Sequence, residues 1–115
     1  MKATTREVNL ELGRPTADEA LRRLEAELEA ARHMNTPLLK LIHGYGSTGK
    51  GGAIRADVLA QLAQKKRSGQ IKEFVRGEDF SPFDSGARAI IAACPSLSRD
   101  IDYSRANHGI TMVLL

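Results

Sequence analysis

The segment that decides the fold spans residues 38–52 and has the sequence LLKLIHGYGSTGKGG. Its first five residues, 38–42, form a short apolar run that predicts a buried β-strand. Five of the next ten residues are glycines, and an apolar stripe at helical spacing follows them. A glycine-rich loop that leads into a helix offers close backbone approach and free N–H groups, which favour an anion. The segment therefore predicts an anion-binding loop between a strand and a helix.

The flanking segments alternate between strand and helix patterns. Thr16 and Glu19 form a capping-box pattern, and Pro37 follows the helix that they begin. The predicted elements are a strand at 7–12, a helix at 16–33, a strand at 38–42, a helix at 52–67, a strand at 70–76, a short helix at about 87–94, a loop at 96–109 and a strand at 110–115. This order, β-α-β-α-β-(α)-β, predicts an α/β two-layer sandwich with a four-stranded mixed sheet and two main helices.

Length and composition narrow the class of protein. The 115 residues suit one domain, 1–115, and a chain that is 42% hydrophobic and 27% charged is typical of a globular protein. The single cysteine, Cys94, excludes an internal disulfide and a cysteine-based zinc site, and the three histidines lack the close spacing of a zinc site. We see no secretory signal and no apolar run long enough for a bilayer, so we expect a cytoplasmic protein without a membrane partner.

Positive charge is concentrated in one part of the sequence. Residues 40–76 contain eight basic residues against two acidic ones, a local charge of +6 within a chain of net charge +3. The basic residues are Lys40, Lys50, Arg55, Lys65, Lys66, Arg67, Lys72 and Arg76. Such an excess favours a polyanionic partner. The alternative is a solvated helix end with scattered lysines.

The glycine loop matches parts of two nucleotide-binding motifs. Gly44-x-Gly46-x-x-Gly49 fits the dinucleotide fingerprint, but that loop normally follows the first strand of its fold. Gly44-x-x-x-x-Gly49-Lys50 fits most of a P-loop, but Gly51 stands where the serine or threonine that holds magnesium is needed. We therefore expect neither a dinucleotide fold nor a nucleotide hydrolase.

Both motifs share an anion-binding chemistry that the loop retains. Lys50 and Arg55 add full charges near the helix N-terminus, and the ring of Tyr45 offers a face on which a base can stack. We therefore predict a nucleic-acid-binding site. Its residues are His43, Gly44, Tyr45, Gly46, Gly49, Lys50 and Arg55.

Three short motifs occur in a set order along the chain. LELGR at 10–14 precedes TADEAL at 16–21, HGYG at 43–46 precedes Ile54-Arg55, and GITMV lies at 109–113. In this order they resemble the LDxHG-to-EEAL, HGxG-to-LR and G-x-T-x-V motifs of the Smr (small MutS-related) domain family. The resemblance covers residues 8–115. It implies a fold similar to the C-terminal domain of translation initiation factor three and binding of DNA or RNA, with nicking or endonuclease activity in some members.

The sequence departs from the family pattern at four points. Gly13 stands at the histidine of the first motif, and Glu11 stands at its aspartate. The loop before Ile54 is longer than usual, and residues 77–108 form an inserted segment before the last strand. The departures at Gly13 and Glu11 put catalysis in doubt, and the added segments put the substrate preference in doubt.

Four titratable residues are candidates for chemistry. His43 can serve as a general base or a phosphate donor, or it can be a structural histidine that caps the loop. Glu11 lies at the end of the first strand, where α/β sheets place their sites, although a solvated carboxylate is the alternative. His108 can approach the glycine loop in space. We expect His33, at a helix C-terminus, to be only a dipole partner.

Three hypotheses for the function follow from these residues. The first is a nucleic-acid-binding module for DNA or RNA with weak or no cleavage and no cofactor. The alternative is a DNA-nicking or RNA-cleaving endonuclease that uses His43 and Glu11, with or without magnesium or manganese. A weaker third hypothesis is a protein partner bound through the 77–108 segment. Its apolar residues are Phe80, Phe83, Ile90 and Ile91, which we expect to cover a sheet edge or to extend the core.

Overall fold

The elements of the fold follow the predicted order. The computed structural model describes residues 5–44 and 50–115. At residues 50–52 it describes only the backbone. The elements are β1 (Thr5–Asn9), α1 (Ala17–His33), β2 (Leu38–Ile42), α2 (Lys50–Arg67), β3 (Glu73–Arg76), α3 (Ser85–Ala93) and β4 (Ile110–Leu114), with 3₁₀ turns at Gly77–Asp79 and Pro95–Arg99. The structure confirms the α/β class, the four strands and the two main helices.

The sheet is mixed and has the strand order β1-β2-β4-β3. β1 pairs with β2 in parallel, as expected for two strands joined through a helix, whereas β4 is antiparallel to both β2 and β3. The last strand in the sequence, β4, therefore lies inside the sheet between β2 and β3. Leu41 of β2 lies beside Val8 on one side and Thr111 on the other.

The two faces of the sheet have different covers. Leu39 and Leu41 of β2 lie in one apolar cluster with α1 and α2. Leu38 lies in a second cluster with Phe80 and Ile90 of the 77–108 segment. The predicted sandwich is thus extended by α3 and the 3₁₀ turn at Pro95–Arg99, which cover the second face. Apolar residues on both faces explain why β2 has a continuous apolar run instead of an alternating one.

Two helix starts illustrate how well local patterns predict local structure. The Thr16 hydroxyl accepts the N–H of Glu19 at 3.1 Å, and the Glu19 carboxylate accepts the N–H of Thr16 at 3.0 Å, so the capping box forms as predicted. α2 begins at Lys50, two residues before the predicted start at 52. Ile54, Val58 and Leu62 of α2 are buried in the first cluster.

The first strand ends earlier than the alternating pattern predicted. β1 ends at Asn9, so the prediction of a strand over 7–12 was wrong at its C-terminal end, and Leu12 is exposed. The Asn9 side chain accepts the N–H of Glu11 at 2.9 Å, which turns the chain away from the sheet. Leu10 stays buried, and its N–H donates to the carbonyl of Ile42.

A buried lysine holds the 77–108 segment to the central strand. Lys40 of β2 lies on the α3 side of the sheet, and only 7% of its side chain is exposed. Its Nζ is 2.9 Å from Asp100 and 2.5 Å from Asp102, and we call these three residues the Lys40 cluster. Burial opposes the charge, but the hydrogen bonds that Nζ donates to both aspartates outweigh it and raise the pKa of Lys40.

None of the described helices combines the length and the apolar character that a bilayer span requires.

Candidate functional site

The chain leaves the sheet at His43, and this histidine is fully buried. Its Nδ1 is 2.7 Å from the carbonyl of Gly44, and its Nε2 is 2.8 Å from the hydroxyl of Thr111. Because a carbonyl oxygen only accepts, Nδ1 carries the proton, and Nε2 accepts the Thr111 hydroxyl. Both ring nitrogens therefore have a partner, and the imidazole fixes the start of the loop against β4.

The surroundings of His43 keep its imidazole neutral. Burial is the largest cause and lowers its pKa, and the charge of Arg55 lowers it further. The hydrogen bond to Gly44 and the carboxylates of Glu11 and Glu78 raise the pKa, but they do not offset the burial. A buried neutral imidazole with two partners has no free nitrogen for a water or a phosphate in this conformation. The predicted catalytic and phosphate-binding roles of His43 stay predictions.

The carboxylate of Glu11 lies against the first turn of the glycine loop. The N–H groups of His43 and Gly44 both donate to the carbonyl of Gly109, at 2.9 and 3.0 Å, which holds the backbone here. Gly44 has φ +71, and a Cβ at this position would lie 2.1 Å from Oε1 of Glu11. The fold thus brings the two predicted catalytic residues, Glu11 and His43, next to Gly44.

A second group of charges flanks the loop. Nε of Arg55 donates to the carbonyl of His108 at 3.2 Å, and its Nη2 forms an ion pair with Glu78. Nδ1 of His108 lies 3.5 Å from the same carboxylate oxygen, Oε2 of Glu78. We call Arg55, Glu78 and His108 the Arg55 cluster. Burial raises the pKa of Glu78, but a backbone hydrogen bond and the charges of Arg55 and His108 bring it below its usual value.

An open cavity of about 440 Å³ adjoins the Arg55 cluster and is lined by Arg55, Ala106, Asn107 and His108. His108 is 60% exposed, whereas Oε1 of Glu78 is buried and has no hydrogen-bond partner among the described residues. The cluster therefore combines a guanidinium, an accessible imidazole and an incompletely bonded carboxylate beside an open space. Such a combination can bind an anion or move a proton.

The structure describes some of the predicted binding residues and not others. Arg55 lies in the second turn of α2, and Lys50 is its first residue. Tyr45, Gly46 and Gly49, and the side chain of Lys50, lie outside the described residues, and their predicted roles stay predictions. Among the residues that the structure describes, no group of three histidine, cysteine, aspartate or glutamate side chains could hold a metal ion.

The histidine at 108 comes close to the loop, as the sequence allowed. Glu78 was missed, because it stands in the sequence as one of several acidic residues in an uncertain segment. Its position two residues after β3 was the available signal.

His33 is exposed at the end of α1 and lies 3.0 Å from Glu29, which agrees with a surface role.

Much of the predicted basic patch is neutralised by acidic partners. The pairs are Lys40 with Asp100 and Asp102, Arg55 with Glu78, Lys65 with Glu25, Lys66 with Glu73, and Arg76 with Asp79. Within residues 5–44 and 50–115, Arg67 and Lys72 have no ion pair. The sequence count of +6 therefore overstates the charge that a ligand would meet.

The fold and the site together define a class: a small α/β domain in which a His-Gly loop joins a central strand to a helix, beside an Arg-Glu-His cluster. Comparison with known families gives the name. The Smr domain model matches residues 10–81, and the chain belongs to the Smr domain family, a family of nucleic-acid-binding and nuclease-type domains.

A solved relative supports the assignment across the whole fold. The chain is similar to the crystal structure of the Smr domain of Thermus thermophilus MutS2, with 27% sequence identity and a TM-score of 0.57. The alignment covers 96% of this chain and 96% of that one. No curated protein matches the chain. The likeness to the C-terminal domain of translation initiation factor three, and the interpretation of 77–108 as an insertion, stay predictions.

Proposed function

We propose that this Smr domain binds DNA or RNA by its phosphate groups, through the loop 43–52 and Arg55, and cleaves it weakly or not at all. The observation that carries this proposal is the open cavity at the first turns of α2. Its lining includes Arg55 and His108, and the carbonyl of His108 holds the guanidinium in place. A cation fixed beside a helix N-terminus is suited to a phosphate oxygen.

The geometry of Arg55 leaves donors for a ligand. Nε and Nη2 are engaged by His108 and Glu78, whereas Nη1 has no partner in the described part of the chain. An anchored guanidinium loses little side-chain freedom when it binds, which favours affinity. Among the described cations of the 40–76 segment, Arg55 is the one that lines the cavity, so Arg55 and Lys50 are the expected source of the salt dependence.

Weak cleavage is the expectation because the groups needed for hydrolysis are missing or engaged. Both nitrogens of His43 have partners, so its imidazole is not free to activate a water. Gly13 has no side chain at the position of the family histidine. Its φ of +82 would also strain a replacement.

An endonuclease that uses His43 and Glu11 is the second candidate. The observation that favours it is the contact of the Glu11 carboxylate with Gly44, whose carbonyl bonds His43. Cleavage by these residues would require His43 to leave Thr111. Assistance by magnesium or manganese would need ligands beyond Glu11, because the described residues bring no three such side chains together.

A protein partner at the 77–108 segment is the weakest proposal. Phe80 and Ile90 are buried in the core and Ile91 is half-buried, which leaves Phe83, 92% exposed, as the candidate contact.

Fluorescence anisotropy with labelled single-stranded, duplex and branched DNA and RNA tests the binding proposal. We expect affinity to fall with salt, and Arg55→Ala to raise Kd and reduce the log–log salt slope on duplex DNA by about 0.9. Lys72→Ala is the matched control, because Lys72 is an unpaired exposed cation at the opposite end of β4. Affinity independent of salt, or equal effects of both variants, would contradict the proposal.

A cleavage assay on the same substrates, with and without magnesium or manganese, separates the two candidates. We expect little product from the wild type. Robust cleavage that is lost in both His43→Ala and Glu11→Gln would replace the binding-only proposal with the endonuclease.

A further inference from the structure

One carboxylate oxygen serves two cationic partners at the edge of the cavity. Oε2 of Glu78 pairs with Nη2 of Arg55 and lies 3.5 Å from Nδ1 of His108. The 3.5 Å separation is an ion-pair distance and is too long for a strong hydrogen bond. The imidazole is therefore near the carboxylate but not locked to it, and its side chain is 60% exposed.

The charge of this group depends on the protonation of His108. With a neutral imidazole, Arg55 and Glu78 cancel, and Glu11 next to Gly44 adds a negative charge. His43, which follows β2, is neutral and buried. With a protonated imidazole, the Arg55 cluster itself has a net charge of +1. An entering phosphate is thus opposed by Glu78 in one state and attracted in the other.

The residues on either side of His108, Asn107 and Gly109, are held in place by hydrogen bonds within the protein. Nδ2 of Asn107 donates to Asp102 at 2.8 Å, and Oδ1 of Asn107 accepts the N–H of Gly109 at 2.8 Å. Asp102 is in turn bound by Lys40. This chain of contacts connects the middle of β2 to the residues that flank His108, so the imidazole stands on a supported loop.

We propose that the cavity binds a phosphate group together with one proton, which His108 takes up. Nη1 of Arg55 and Nε2–H of the imidazolium donate to phosphate oxygens, and Nδ1–H faces Glu78. No covalent bond changes, and the proton comes from solvent. The inference rests on the proposed function. It adds His108 as a second contact to the phosphate and as the proton site, and it gives a direction for the pH dependence.

The test measures Kd by anisotropy from pH 5.5 to 8.5 at constant ionic strength. The probe is a 3′-labelled single-stranded DNA with a 5′-hydroxyl, so that no terminal phosphate titrates, and its RNA counterpart. We expect Kd to rise with pH by up to about tenfold per unit, the limit for one coupled proton. The same strands with a 5′-phosphate form a second arm. Tighter binding in this arm at the same pH assigns the site to a strand end, and equal affinity assigns it to the backbone.

Two variants and one control decide the proton site. His108→Asn should weaken binding at pH 6 and flatten the pH dependence, whereas His33→Asn, an exposed histidine elsewhere, should leave both unchanged. Glu78→Gln should instead tighten binding at pH 8.5, because it removes the opposing charge. Unfolding midpoints of the variants confirm that they fold.

The outcomes separate this inference from the proposed function. A full pH dependence in His108→Asn, or weaker binding by Glu78→Gln at pH 8.5, overturns the proton-coupled site while Arg55→Ala still reports phosphate binding. A wild-type protein that binds no probe at any pH overturns both.

Discussion

The Lys40 cluster and the Arg55 cluster are built from similar charges but have opposite environments. Lys40 is 7% exposed and bonds two aspartates, so its charge is compensated within the protein. In the Arg55 cluster His108 is 60% exposed, and one oxygen of Glu78 has no partner among the described residues. Both clusters attach the 77–108 segment to the rest of the chain. The difference shows that a saturated buried cluster serves stability, whereas an unsaturated one beside a cavity is suited to a ligand.

The largest effect on stability is expected from the Lys40 cluster. Lys40→Met removes one partner of a buried group and leaves Asp100 and Asp102 without their counter-charge, which costs about 3–5 kcal/mol in the free energy of unfolding. Urea denaturation measures the loss. Lys66→Met is the control, because Lys66 is 46% exposed in its pair with Glu73 and should cost below about 1 kcal/mol. Equal losses for the two variants would remove the distinction between buried and exposed pairs.

Gly77 lies where the two clusters approach each other, directly before Glu78 and against Asn107. A Cβ on Gly77 would lie 1.8 Å from the carbonyl oxygen of Asn107, a backbone atom that cannot move freely. Gly77→Ala should therefore cost about 1–3 kcal/mol, as overpacking does. Gly13→Ala tests the alternative of backbone strain alone, since Gly13 has φ +82 and open space around it. A larger loss at Gly13 than at Gly77 would show that the contact is unimportant.

Acid should destabilise the protein through His43 before it protonates the carboxylates of either cluster. The pKa of His43 in the fold is below its usual 6.5, so the unfolded chain binds the proton first, and stability declines as the pH falls below 6.5. Glu78 and Asp102 have pKa values below 4.5 and 3.8, and they contribute only at lower pH. Urea midpoints between pH 7 and 5 should therefore decrease in the wild type and less in His43→Gln. An unchanged slope in that variant, with His33→Asn as control, would exclude His43 as the cause.

A matched pair of substitutions gives the smallest effect. Glu78→Gln and Asp102→Asn each replace a carboxylate by an amide of the same shape, one in each cluster. We expect Glu78→Gln to change the free energy of unfolding by less than about 1 kcal/mol, because its partners Arg55 and His108, which are 24% and 60% exposed, stay accessible to water without it. Asp102→Asn should cost more, since it weakens a buried pair with Lys40. Chemical denaturation at pH 7 compares them, and a reversed order would refute the assignment of roles.

Local patterns in the sequence predicted the local structure well. The apolar run at 38–42, the capping box at Thr16 and the stripe on α2 each depend on residues close together in the chain, and all three are confirmed. The predicted C-terminal end of β1 was wrong because the side chain of Asn9 competes with the sheet for the N–H of Glu11. An alternating pattern of apolar and polar residues does not report this effect.

Contacts between distant residues were beyond prediction. Lys40 and Asp100 are 60 positions apart, and Arg55 and Glu78 are 23 apart, so neither pair has a local signature. The same pairs explain why the count of basic residues overstated the exposed charge. The glycine loop could be predicted because glycine spacing is local, and its role in binding stays a prediction. The Arg55 cluster beside it depends on the folded segment 77–108, which has no such local signal.

The strand order also fixes when the sheet can be completed during synthesis of the chain. β4 is made after the other three strands, yet it lies between β2 and β3, and in the described part of the chain β3 pairs with β4 alone. On the ribosome, β1, α1 and β2 can associate early as a parallel unit, but β3 must wait for residues 110–114 to emerge. Until then both the edge of β2 and the whole of β3 expose unpaired backbone groups, and a nascent chain stalled before residue 110 is a target for chaperones and for aggregation.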